Sequence, residues 1–481
     1  MKTLKIYPLL LLLFAMSISS CKKWLDVQPQ DKFTETQVFN TRSGVYQALN
    51  GIYLSIGKSA MYGGVMTMFL PDVLAQNYNI SAQHNYIAYS TYKYTDGGVL
   101  LTLDGLWSST YAAVANANTF VQNLDKYKGV VPADQDSILR GEAIALRAFL
   151  QFDMLRLFGP MYNSADSTLP AIPYYSVTST TFNAYLPANN VMDSISKDLS
   201  VAEGLLSNDP IITYGIAGNP SINTDPFFKN RNYRLNYYAV KALQARVNMY
   251  RGYKAAAYAA AQTVIQNADN KFPWIVPSAV LSNKDNPDRT FSTELIFGLQ
   301  SLDLYNNYNM YYSPGLTDQM ILAPLDGRLN TFMESATYPN DLRLNPDWIY
   351  PAATSKTYRT FYKFADVSTA TMPFRYMLPM LRKSEMYYIA AECAPDLTTA
   401  LTYLNTVRYN RGISNLPGTA VLATELKKEY QKEFYGEGQL FYYYKRTNTA
   451  TIPNGAATSG NVTMNKTTYV LPLPLSETNY H

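Results

Sequence analysis

Two segments combine flat rings with amides at close spacing. Tyr78, Asn79, His84, Asn85, Tyr86, Tyr89 and Tyr92 stand in one, and Tyr305, Asn306, Asn307, Tyr308, Asn309, Tyr311 and Tyr312 in the other. That mix suits sugar recognition: rings lie against C–H faces while amides and hydroxyls meet sugar hydroxyls. Tyrosine makes such contacts with little rotamer entropy to lose. From these segments Tyr78, Asn79, His84, Tyr86, Tyr89, Tyr305, Asn307, Tyr308 and Tyr311 are the expected ligand contacts. The competing reading is that the rings pack the loops onto the rest of the fold. Trp274 and Trp348 sit beside proline-rich turns and are expected to be buried.

Other chemistry is thinly supplied. Only His84 and His481 are present, with two cysteines, so zinc sites built from Cys and His lack ligands. Nucleophilic catalysis assisted by histidine would rest on His84 alone. No phosphate-cradling loop or dinucleotide fingerprint occurs. Glu425, Glu429, Glu433 and Glu437 recur at four-residue steps; catalysis by them would need a facing carboxylate, so they read as a structural stripe offset by Lys428 and Lys432. Asp72 and Asp96 flank the first tyrosine segment and are the pair to consider for an exported glycoside hydrolase. Arg140, Glu142, Arg147, Glu385 and Glu392 are expected to form ion pairs between stacked helices. No catalytic residue, metal ligand or cofactor is expected.

The N-terminus addresses the chain. Lys2 and Lys5 precede an apolar run from Tyr7 to Ile18, then Ser19, Ser20 and Cys21. The run has the length of a secretory signal and is too short to span a bilayer. Ile18-Ser19-Ser20-Cys21 resembles a bacterial lipobox, which implies cleavage before Cys21 and lipid on its thiol. The alternative is ordinary secretion with an incidental Cys21. Cys393, in an apolar run, reads as a small core residue. Hydrophobic residues make up 47% and charged residues 16% of the 481, with a net charge of +4. A large core is therefore available, and nucleic acid is a poor partner for so few concentrated cations.

These residues need a frame, and periodicity predicts a helical one. Helices are expected near Ser43–Ser55, Leu106–Lys126, from Asp134 or Asp136 to Phe158, and Asn190–Leu206. More are expected at Arg234–Tyr250, Lys254–Ala268, Arg382–Cys393, Leu397–Asn410 and Ala423–Arg446. Alanine faces in the 234–268 hairpin predict close helix approach. Residues 71–98 read as long loops, and the proline-rich 469–474 tail as extended. The expected organisation is a signal at 1–20, an irregular tether at 21–41 and a single domain at 42–481. Within it, a helical scaffold (42–268 and 380–446) carries a loop-rich ligand-side layer at 270–379, with few short strands.

The order of motifs resembles the SusD/RagB family of outer-membrane lipoproteins from Bacteroidota over nearly the whole chain. After the cysteine come Leu25-Asp26-Val27-Gln28-Pro29, then Trp107, Tyr111 and Asn116–Asn118. Arg140-Gly141-Glu142-Ala143 through Leu157-Phe158-Gly159 follows, and then Ala242-Leu243-Gln244-Ala245-Arg246. Glu385-Met386-Tyr387, Leu404-Asn405-Thr406-Val407-Arg408, Glu433-Phe434-Tyr435-Gly436-Glu437-Gly438 and Pro472-Leu473-Pro474 close the pattern. One departure is Gln439–Tyr444, where aromatics replace an acidic residue before the final Arg446. The resemblance implies a mainly α fold of tetratricopeptide-like helix pairs in a superhelical scaffold. It also implies a lipid-anchored, cell-surface nutrient binder without enzymatic activity, in the outer membrane and facing outward. Its partner would be a TonB-dependent, SusC-like β-barrel transporter. The ligand would be an oligosaccharide or, equally within the family, an oligopeptide.

Overall fold

Apolar residues at three- and four-residue spacing commit the chain to helices that stack in sequence order. A computed structural model describes residues 34–163, 165–217, 226–352 and 354–479. Cys21, the 1–20 leader and the first part of the tether lie outside the described residues. Eight helices form the frame: Arg42–Ile56, Gly97–Lys126, Ala133–Phe158, Ala188–Leu205, Tyr237–Arg251, Lys254–Ala268, Lys383–Cys393 and Leu397–Asn410. Each packs against the next. Such an array buries a continuous core between neighbours, as in tetratricopeptide-like solenoids.

The 133–158 helix departs from a simple amphipathic stripe. It is buried on every side from Gly141 to Phe158, because the 97–126 and 188–205 helices enclose it. Its polar residues are answered internally. Arg147 forms an ion pair with Asp198 at 2.6 Å, and Arg231 joins Glu142 to Asp209. Further along, Arg246 pairs with Glu385 and Arg446 with Glu392. The expected inter-helix pairing therefore holds for Glu142, Arg147, Glu385 and Glu392, whereas Arg140 pairs with Asp125 and, within its own helix, Asp136. In the alanine-rich hairpin, Ala239, Ala242, Ala245, Ala257 and Ala261 are fully buried. Gly252 closes its first helix at φ +82°, a conformation that suits glycine.

Residues 270–379 cross this array as short elements. Strand Leu295–Gln300 pairs antiparallel with Met377–Arg382, and Trp348–Ile349 with Thr360–Phe361. Helices Leu304–Tyr311 and Asp326–Met333 lie between them.

Several local expectations change. Within the tether, Glu35–Phe39 is a helix with a Thr34/Gln37 capping box. It is fastened by Glu35–Lys126 at 2.5 Å and by Phe39 stacked on Tyr127. Residues 71–98 are not all loop: a π-helical turn Val65–Phe69 runs into helix Leu70–Leu74, and Ile87–Ser90 is helical. The single helix expected over 423–446 is two, Leu422–Glu433 and Leu440–Arg446. Gly436 and Gly438 break it at φ +77° and +71°. A Cβ would stand 2.8 Å from the Phe361 ring at Gly436 and 2.5 Å from the Met66 carbonyl at Gly438. Glu437 therefore leaves the helical stripe. The extended tail is flanked by short helices Lys466–Tyr469 and Leu475–Thr478.

Candidate functional site

The two tyrosine segments, more than two hundred residues apart in the chain, meet. Backbone bonds tie the first to residues 319–323, just beyond the second: Asn79 N–H donates to the Ala323 carbonyl at 2.8 Å, and Asn85 N–H to that of Gln319 at 2.9 Å, while Leu322 N–H donates to the Tyr311 carbonyl at 2.7 Å. His84 Nε2 lies 3.2 Å from the Ile321 carbonyl, while its Nδ1 accepts from Tyr86 N–H. This geometry fits the neutral tautomer with hydrogen on Nε2, and burial lowers the imidazole pKa below its usual value. His84 thus staples the segments together.

Beneath this seam the rings form a continuous stack. Phe69 lies parallel to Tyr311 at 5.4 Å and packs on Tyr86 at 4.6 Å and Tyr89 at 4.8 Å. The Tyr78 and Tyr312 hydroxyls are 2.8 Å apart, and both reach the Met68 carbonyl. Asp72 Oδ2 accepts from Gly436 N–H at 2.6 Å and from Tyr78 at 3.3 Å, while Oδ1 has no hydrogen-bond partner among the described residues. Burial pushes the Asp72 carboxyl up to about 7.

The structure thus sorts the expected ligand residues by depth. Tyr78, His84 and Asn307 are interior, and Asn307 Nδ2 donates to the Gly63 carbonyl. Tyr89, Tyr308 and Tyr311 are also buried, with Tyr89 bonded to the Gly98 carbonyl and to Thr102. Asn79, Tyr86 and Tyr305 are partly exposed. Tyr305 donates to the Arg375 carbonyl. The rings support a surface whose accessible groups are mostly amides and thioethers: Gln83, Asn85, Asn309, Met310, Gln319 and Met320. Sequence reading missed Phe69, Gln319 and Met320. Phe69 had no tyrosine-amide signature, and Gln319 and Met320 are brought in only by the 79–323 and 85–319 pairing.

Asp72 and Asp96 do not face each other across a cleft. Asp72 is fully buried, whereas exposed Asp96 caps the 97–126 helix by accepting from Gly98 and Val99 N–H. Among the described residues no group of three or more His, Cys, Asp or Glu is placed to hold a metal. Trp348 is buried, and Trp274 is partly buried with the Lys383 ammonium 4.4 Å from its ring. Cys393 is half-buried, its Sγ 3.4 Å from Met249 Sδ.

The glutamate stripe is a clamp. Glu429 meets Arg343 at 2.7 Å and Arg408 at 2.8 Å. Glu433 meets Arg411 at 2.5 Å and Arg343 at 3.2 Å. Glu437 holds Arg382 and Lys363. Burial works to raise Glu429 and Glu433, but the cations overcome it, holding Glu429 down at about 2 and Glu433 well below the usual carboxylate range. Because Arg343, Lys363 and Arg382 belong to the crossing layer or its edge, the clamp fixes that layer to the helices.

A family model described as starch-binding and associating with the outer membrane matches residues 23–215, and the SusD family model matches 333–479. No curated protein matches. Among solved structures, a SusD superfamily protein from Bacteroides thetaiotaomicron VPI-5482 superposes with a TM-score of 0.67 at 20% identity, covering 91% of this chain and 98% of that one. A SusD-like carbohydrate binding protein from Bacteroides vulgatus ATCC 8482 gives 0.67 at 15%, covering 92% and 96%. A laminarin binding SusD-like protein gives 0.64 at 18%, covering 92% and 98%. No helix among the described residues is long and apolar enough to cross a membrane. The stacked helical frame, the motif order and the two family models agree: the chain belongs to the SusD/RagB family.

Proposed function

We propose that this protein is a cell-surface lipoprotein that captures an oligosaccharide and passes it to a TonB-dependent, SusC-like barrel in the outer membrane. Lipid on Cys21 anchors it there. The observation that carries the binding half is the meeting of the two tyrosine segments, which supports one face of amides over a stiff ring stack. Rings whose hydroxyls are already bonded inside lose little entropy when a ligand arrives. Partly exposed Tyr86 supplies a ring edge, and Asn79, Asn85, Asn309 and Gln319 supply hydrogen-bonding groups at the surface. The names of the carbohydrate-binding relatives support an oligosaccharide as the ligand class. The reading is binding without bond cleavage, supported by the separate structural duties of Asp72 and Asp96.

Calorimetric titration of the purified protein against panels of neutral oligosaccharides and peptides tests the ligand. Saturable heat with an oligosaccharide is expected; saturation by peptides alone would overturn the assignment. Affinity capture from detergent-extracted outer membranes should co-purify a plugged β-barrel. Its absence would remove the delivery step.

A further inference from the structure

A groove of about 390 Å³ opens where the second half of the 42–56 helix meets the one-turn helices Pro226–Phe228 and Arg231–Tyr233 and the end of strand 295–300. Asn50, Phe227, Asn230, Tyr233, Arg234 and Gln300 are among its walls, and none belongs to the two tyrosine segments. The volume falls near the lower end of the range for small organic ligands, roughly 300–1,000 Å³.

The floor is fixed before any ligand arrives. The Arg234 guanidinium carbon lies 3.7 Å from the centroid of the Phe227 ring, and Arg234 pairs with buried Glu142 at 3.3 Å. Glu142 also accepts from the Tyr53 hydroxyl at 3.0 Å, and that hydroxyl accepts from Leu235 N–H at 3.0 Å. Arg234 Nη2 donates to Asn50 Oδ1, which leaves the Asn50 Nδ2 hydrogens for the groove. The Gln300 wall is pinned as firmly. Ser301 Oγ donates to the Gly57 carbonyl at 2.8 Å, and a Cβ at Gly57 would stand 2.5 Å from the Gln300 carbonyl. A site whose frame is already bonded loses little entropy on binding.

The accessible groups are a ring and amides. Tyr233 is partly exposed, and its hydroxyl donates to the Pro373 carbonyl, so the ring is held in place. Asn230 and Gln300 are exposed. Lys229 and Arg234 supply positive charge, and among the described residues no carboxylate lines the groove. A ring face beside amides suits a hydroxyl-rich ligand, and the charge disfavours a cationic one. Residues 373–376 also run from this groove to the second tyrosine segment. Tyr233 reaches Pro373, Ser301 N–H donates to the Tyr376 carbonyl at 2.9 Å, and the Tyr305 ring packs on Tyr376 at 5.2 Å.

We propose that this groove is a second saccharide subsite, with a sugar C–H face on Tyr233 and sugar hydroxyls on the Asn50, Asn230 and Gln300 amides. It deepens the oligosaccharide reading above and rests on it: the protein holds saccharide at two places, the amide face and this groove.

Photolabelling of the intact protein with a panel of diazirine-bearing neutral glucan, mannan, galactan and xylan oligosaccharides, mapped by peptide mass spectrometry, tests it. Saturable labels are expected both on the groove, at 226–234 and Gln300, and on the amide face. Labels on the amide face with none on the groove overturn the subsite and leave the proposed function standing. Labels on the groove alone keep the subsite and overturn the amide face. No saturable label from any member of the panel overturns both. Asn230→Ala with Gln300→Ala, at exposed positions, should weaken labelling of the groove about tenfold while the thermal midpoint and the labelling of the amide face stay unchanged. Undiminished labelling of the groove in that variant contradicts the assignment of its residues.

Discussion

The tyrosine seam and the glutamate clamp bury polar groups in opposite ways. At the seam the groups are neutral: hydroxyls and imidazole meet carbonyls across 78–94 and 304–322. At the clamp they are full charges: Glu429, Glu433 and Glu437 each hold at least two cations in the interior. A neutral hydrogen bond contributes about 1 kcal/mol, and its loss is local. A buried charge stripped of its partner costs several times more. The clamp therefore tolerates little change, whereas the seam can exchange residues and re-tune its outer face while the frame persists.

The sharpest break in this contrast is Glu433→Ala. It takes one carboxylate from buried Arg411, which keeps Glu294, and one from buried Arg343, which keeps Asp341 and Glu429, and should cost about 3–5 kcal/mol in chemical denaturation. A cost under 1 kcal/mol would mean that the clamp is not where the layers are joined. Next comes the one acid buried at the seam. Asp72 is raised to about 7 when folded against 3.8 when free. The folded chain then binds more protons than the unfolded chain between those values, so stability falls as pH rises from about 4 to about 7. Burial raises Asp347 to about 7 as well, so it acts in the same window. The fall measured from pH 5 to pH 8 should shrink in Asp72→Asn by roughly 2–4 kcal/mol. An unchanged slope would remove Asp72 from the account.

Tyr312→Phe should cost about 1 kcal/mol, because Tyr78 still reaches the Met68 carbonyl. A cost equal to that of Glu433→Ala would erase the distinction between the regions. Smallest for stability are Asn85→Ala and Gln319→Ala, both at exposed positions. Each should stay within about 0.5 kcal/mol in denaturation.

The sequence carried the frame because helical periodicity is a local signal. Leu139, Ala143, Leu146, Leu150, Met154 and Leu157 mark their helix, and Gly159-Pro160 ends it. Boundaries failed where a distant neighbour decides the backbone. Residues 434–439 read as helix until Phe361 and the Met66 carbonyl are seen pressing on Gly436 and Gly438. Residues 35–39 are helical with the support of Lys126 and Tyr127. The site was legible in composition and not in depth. A tyrosine under the surface and one at its edge read alike, so Tyr78 and Tyr86 could not be told apart before Phe69 and Tyr312 were placed around them.

Calorimetric titration of one binding oligosaccharide into the unaltered protein and into the Asn85→Ala/Gln319→Ala double variant tests the central claim most directly. The account predicts at least a tenfold weaker association in the variant, about 1.4 kcal/mol, with its unfolding transition unchanged. Equal affinity in the two proteins would contradict it.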